Sequence, residues 1–87
     1  MRYKVHSAWS DETTTGRFTV QAADALDTRT GHVYRDGAYR VVDTETGKPA
    51  KRGKGGTVPF YGETAWNDSR RLAEDLVWAE RRAALDA

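Results

Sequence analysis

Eighty-seven residues, 38% hydrophobic and 31% charged, allow one domain with a modest core. A chain of this size buries roughly 60–65% of its unfolded surface, so few side chains remain to wall a deep enclosed pocket. Fourteen Lys and Arg against 13 Asp and Glu leave a net charge of +1, short of a dedicated nucleic-acid binder, and the lack of Cys excludes disulfides and thiolate metal sites.

Residues 3–9 alternate, with Tyr3, Val5, Ser7 and Trp9 on one face and Lys4, His6 and Ala8 on the other, as in a strand buried on one side. The polar run 10–16 ends in Gly and reads as a hairpin loop. Alternation resumes through Phe18, Val20 and Ala22 towards Leu26, although the alanine-rich end of this run also fits a short helical turn. Two strand-like runs, 32–35 and 38–42, flank Asp36-Gly37. Asp-Gly in that setting predicts a type I′ hairpin turn, whose central residues both take positive φ. Asp-Thr-x-Thr-Gly occurs twice, at 27–31 and 43–47, each time after a strand-like run. An Asp that opens a turn accepts a bond from the backbone two residues on, and a closing Gly takes the left-handed conformation. Both copies are therefore read as tight reversals, since a metal loop needs more carboxylates at ligand spacing.

Residues 48–62 carry Lys48, Lys51, Arg52 and Lys54 without an acid, among Gly53, Gly55 and Gly56, which makes a flexible basic loop. Residues 57–61 return as a short edge strand, with Pro59 removing a ladder donor. From about Thr64 to Leu85 the chain is rich in Ala, Leu, Glu and Arg and free of Gly and Pro, which predicts a helix. Thr64 is its N-cap and Asp68 the competing start. Ala65, Leu72, Leu76, Ala79 and Ala83 form the expected buried stripe, widened by Trp66, Ala73, Val77 and Ala84. The fold class that follows is α+β: an antiparallel β-meander of three to five strands with one C-terminal α-helix packed across the sheet.

For function, four cations among flexible glycines suit a phosphate backbone, and Phe60, Tyr61 and Trp66 add surfaces for stacking. Trp78 falls off the buried stripe, among Arg71, Glu74, Arg81 and Arg82 with Leu85 two turns on, the composition of an interface hot spot. The competing reading packs Trp78 inside. Gly-Lys-Gly-Gly lacks the spacing of a Walker A loop, and His6 and His32 belong to no catalytic motif. The expectation is a non-catalytic binding module, a single domain over residues 1–87, without cofactor or metal. No apolar run approaches a membrane span or a secretory signal, so the expected location is the cytoplasm.

From "YRVVDTETGKP" through "AWNDSRRLAEDL", residues 39 to about 77, the chain resembles small β-hairpin-plus-helix proteins encoded by actinobacteria and their phages. Its bias towards Arg, Ala, Asp and Thr fits that source. The layout is also similar to the arm-type DNA-binding domains of phage integrases, in which a three-stranded sheet backed by a helix lays its exposed face in the major groove. This resemblance implies an accessory protein of phage or mobile-element type. Arg17, Gln21, Arg35 and Arg40 would then meet nucleic acid from the sheet face, and Lys48, Lys51, Arg52 and Lys54 would meet phosphates. The sequence departs from the integrase pattern in its longer, more acidic helix, and it contains no recombinase catalytic domain. The alternative is a protein-binding inhibitor or adaptor, of anti-defence or host-takeover type. It would meet a host protein through Trp78, Arg71, Arg81, Arg82 and Leu85, a face that also suits a helix-mediated homodimer.

Overall fold

The computed structural model describes residues 2–53 and 56–86, so Lys54 lies outside the described residues. In chain order the elements are β1 (Tyr3–Val5), β2 (Ser10–Thr15), β3 (Phe18–Asp27), β4 (Val33–Asp43), β5 (Lys48–Pro49), β6 (Phe60–Tyr61) and α1 (Ala65–Asp86). All strand pairs are antiparallel and α1 lies across the sheet, so the fold is α+β as the sequence predicts.

The six segments make four rows. β3 and β4 are the long central pair, β1 and β2 share the free edge of β3, and β5 and β6 share that of β4. Each outer row is an edge strand with one interruption. In the first, His6 N–H still donates to Asp24 C=O at 2.8 Å, and Ser7 Oγ accepts from Asp24 N–H at 2.8 Å. In the second, Ala50 N–H donates to Val41 C=O at 2.8 Å before the chain leaves the edge and returns at Phe60.

Two turn assignments are corrected. The expected loop at 10–16 is mostly strand β2, and the reversal shrinks to Gly16 and Arg17, with positive φ only at Gly16 (59°). The physical reason is the threonine run. β-branched Thr suits a pleated surface, and Thr14 and Thr19 bond hydroxyl to hydroxyl across the strands at 2.9 Å. Asp36-Gly37 is no hairpin turn, because β4 runs straight through it. The β3–β4 register shifts by two residues between Ala23↔Ala38 and Ala25↔Tyr34, so residues 35–37 bulge opposite Asp24. Only Asp36 takes positive φ (53°), and its N–H donates to Asp24 Oδ1 at 3.0 Å. A type I′ turn needs both residues there.

The two Asp-Thr-x-Thr-Gly copies are the same turn, bond for bond. Gly31 and Gly47 N–H donate to the carbonyls of Asp27 and Asp43, at 2.8 and 2.7 Å. The Asp27 and Asp43 Oδ1 atoms accept from Arg29 and Glu45 N–H, at 2.9 and 3.0 Å. The hydroxyls of Thr30 and Thr46 accept from His32 and Lys48 N–H, each at 3.2 Å.

Strand alternation turns Phe18 and Val20 to one face, with Val41 opposite Val20. There they form the core with Ala73 and Val77 of α1, flanked by Tyr39, Ala50, Trp66, Leu72 and Leu76. The buried line on α1 is Ala65, Ser69, Ala73 and Val77, one residue per turn. Ser69 is tolerated there because its hydroxyl donates to Trp66 C=O at 2.9 Å. Ala79, Ala83 and Ala84, expected in the stripe, are exposed. After Val77, which lies against Gly16, every described residue of the helix is exposed, because its last turns project past the sheet. At the other end, Asp68 N–H donates to Thr64 C=O at 2.8 Å and Thr64 Oγ1 donates to Asp68 Oδ2 at 2.9 Å, so both proposed starts take part in one cap. No described helix is long and apolar enough to cross a membrane.

Candidate functional site

The cations expected on one sheet face are dispersed. Arg17 sits at the β2–β3 reversal, not on the open face. Its guanidinium meets Asp43 at 2.9 Å, Glu45 at 3.1 Å and Glu80 at 3.7 Å, the last too long for a hydrogen bond from Nε. Three carboxylates leave it little charge for a phosphate. Gln21 and Arg40 do lie where expected, directly opposed on the face away from α1. They form a row: Arg40 Nε donates to Gln21 Oε1 at 2.8 Å, Gln21 Nε2 donates to Asp11 Oδ1 at 2.8 Å, and the guanidinium lies 4.4 Å from the Trp9 ring centre. Burial pulls the Arg40 pKa below its ordinary value. Arg35 stands exposed in the β4 bulge.

The basic loop uses one of its own cations. Arg52 donates to Pro59 C=O at 2.8 Å and Val58 C=O at 3.3 Å, and its guanidinium lies 4.0 Å from the Phe60 ring centre. It closes the loop instead of reaching outward. Lys48 and Lys51 are exposed along the same edge.

Tyr61 and Trp66, expected as stacking surfaces beside the basic loop, instead join an aromatic cluster with Tyr3, Tyr34 and Tyr39. Tyr3 stacks on Tyr61 at 5.6 Å and meets Tyr34 edge-on at 6.4 Å. Tyr39 tilts against Trp66 at 5.5 Å. An open cleft of about 470 Å³ is walled by Tyr3, Tyr34, Tyr39 and Trp66, with Arg35, Asp36 and Glu63 among its lining. Gly37 also lines it and has no room for a side chain, since a Cβ there would lie 2.8 Å from Tyr34 Cβ and 3.1 Å from Ala25 Cβ. Burial raises the pKa of the Tyr39 and Tyr61 hydroxyls, and the charges of Asp36 and Glu12 add to the effect at Tyr39. The usable signal in the sequence was Asp36-Gly37, whose bulge shapes this cleft.

The outward face of α1 is the second candidate. Trp78 is 66% exposed and Leu85 85% exposed. Arg71, Glu74, Asp75, Arg81, Arg82 and Leu85 all fall within about 60° of Trp78 on the helix, opposite the buried line. Asp75 is the member that sequence reasoning left out. Among the described residues no group of His, Asp and Glu gathers as metal ligands. Neither protein-family models, nor curated proteins, nor solved structures match the chain.

Proposed function

We propose that the chain is a non-catalytic protein-binding module that docks through the outward face of α1. The observation that carries this reading is the 66% exposure of Trp78, on a helix that has run past its own sheet. Trp and Arg are the residues enriched in interface hot spots, and Trp78 stands among three Arg. The charges around it are ordered. Glu74 and Asp75 lie one turn before Trp78, and Arg81 and Arg82 one turn after. That order is self-complementary for an antiparallel helix. With the two Trp78 side chains at a two-fold axis, Arg81 shares an edge with Glu74 of the other copy, and Arg82 with Asp75. A parallel pair would set Arg against Arg. The occupant that fits is a second copy of the chain, in an isologous interface.

Sedimentation velocity over about a hundredfold range of concentration tests this. Association is expected for the wild type and not for Trp78→Ala. The double variant Arg81→Glu with Arg82→Glu should also fail, and adding Glu74→Arg with Asp75→Arg should restore pairing. A wild type that stays monomeric throughout would rule out the second copy as occupant.

A second reading is contact with single-stranded nucleic acid, which suits an accessory protein of phage or mobile-element type. It is favoured by Arg40 lying on Trp9, with no ion pair to Arg40 among the described residues and with Lys48 and Lys51 on the β5 edge. Aromatic rings with flanking cations are how strands of mixed sequence are held. Fluorescence anisotropy at several salt concentrations separates the readings, because phosphate contacts release counterions and helix pairing releases far fewer.

A further inference from the structure

We propose that the cleft between Tyr3, Tyr34, Tyr39 and Trp66 binds an alkylated ammonium group, presented by a free small molecule or by a methylated lysine side chain. The proposal does not depend on the helix face, which lies elsewhere. Its first support is shape. The cleft holds about 470 Å³, within the range of small-ligand sites, and its aromatic walls come from β1, β4 and α1. The rings are mutually inclined, at 71° for Tyr3 with Tyr34 and 55° for Tyr39 with Trp66. Aromatic faces carry negative potential and attract a cation most strongly when it sheds water easily, as an alkylated ammonium does.

Charge is the second support. Asp36, Glu63 and Arg35 line the cleft, Arg2 and Arg70 lie over the Tyr3 and Trp66 rings at 5.4 and 5.5 Å, and neither Asp36 nor Glu63 makes an ion pair among the described residues, which leaves both carboxylates open to a ligand cation. Backbone strain is the third. Asp36 is the one described non-glycine residue with positive φ, at 53°, and the adjacent Gly37 is packed so closely that a Cβ there would lie 2.8 Å from Tyr34 Cβ. Strained positions persist where the surroundings fix them, and they gather at binding sites.

The test is a titration of the full chain with choline, with its carbon isostere (carbon in place of nitrogen) and with a trimethyl-lysine peptide, followed by two-dimensional NMR. Saturable shifts are expected at Gly37, Gly62 and the Trp66 indole, with choline binding at least about fivefold more tightly than the isostere. Glu63→Gln and Asp36→Asn should weaken choline and leave the isostere unchanged. Both variants should fold, since Glu63 is exposed and Asn accepts positive φ. Tighter binding of the peptide than of choline would assign the group to a protein tail, and the reverse to a free ligand. Equal affinity for the isostere, shifts that do not saturate, or indifference of choline to both substitutions would overturn the proposal.

Discussion

Val77 and Trp78 are neighbours in the chain, about 100° apart on the helix, one in the core and one in solvent, so truncating each measures what its environment contributes. Val77 is 9% exposed and lies in the core. Val77→Ala removes two buried carbons at about 0.8 kcal/mol each and leaves a partly collapsed cavity, for a loss of about 2 kcal/mol. Trp78 keeps 66% of its surface in solvent. The covered third of a side chain that buries at most roughly 250 Å² is about 80 Å², an upper bound of about 2 kcal/mol. Trp78 is neither in the core cluster nor packed against it, and Ala is the better helix former by about 0.5 kcal/mol. Trp78→Ala should therefore change monomer stability by less than about 1 kcal/mol. In a domain of this size 1 kcal/mol moves Tm by about 4–8 °C, so thermal melts resolve the difference. If α1 pairs with a second copy, the wild-type Tm rises with protein concentration and that of Trp78→Ala does not. A concentration-independent drop in the Trp78→Ala variant as large as that of Val77→Ala would place Trp78 in the core and refute the docking surface.

Asp43→Ala should destabilise the fold by about 0.5–2 kcal/mol in urea melts, by analogy with lost side-chain caps, because it removes both the Glu45 N–H acceptor and a partner of Arg17. Unchanged stability would mean that the second turn holds without its Asp. The Arg2 guanidinium beside Asp27, bonded at 3.0 Å, is the main cause that holds the carboxyl below its ordinary value, aided by Arg29 N–H and opposed by burial. Since the folded pKa is depressed, this contribution is present above the ordinary carboxylate value and is lost as pH falls below about 4. Asp27→Asn should flatten that acid limb in urea melts, and a variant with the wild-type pH slope would clear Asp27 of the effect. Lys48→Ala with Lys51→Ala should leave Tm unchanged, as both side chains are exposed, and should flatten the salt dependence of any nucleic-acid binding. An unaltered salt slope would remove the β5 edge from that reading.

What the sequence made legible was local. A long run without Gly or Pro and with helical apolar spacing announces α1, and Asp with a closing Gly announces both reversals. What it hid depends on distant partners. Periodicity marks Ala79, Ala83 and Ala84 as one stripe with Leu72 and Leu76, but it carries no information on where the sheet beneath the helix ends. Asp-Gly signals positive φ, and β4 uses it at Asp36 alone, to make a bulge that continues the strand. The charges of Asp11 and Glu12 masked the strand preference of the three threonines that follow. The aromatic cleft joins residues 3, 34, 39 and 66, none of which signals the others at those separations.

The Asp-Thr-x-Thr-Gly repeat is also longer than its five residues. Each Asp is the cross-strand partner of an aromatic residue that follows an Arg: Tyr3 after Arg2 opposite Asp27, and Phe18 after Arg17 opposite Asp43. In both copies the Arg pairs with the Asp carboxylate at 2.9 Å, and the Thr after the Asp donates twice to the Arg carbonyl. The complete unit is a corner built from two chain segments, of which a scan along the sequence sees only one. Its two uses differ in one respect. Arg17 reaches a further carboxylate, Glu80 of α1, one turn beyond the core contact of Val77. That corner holds the helix at the place where it leaves the sheet. A helix fixed there has the side opposite its buried line turned to solvent, and Trp78 lies on that side, although it is only about 100° from Val77 at the edge of the line. The exposure of Trp78 thus follows from the corner that ends β4, not from the composition of the helix.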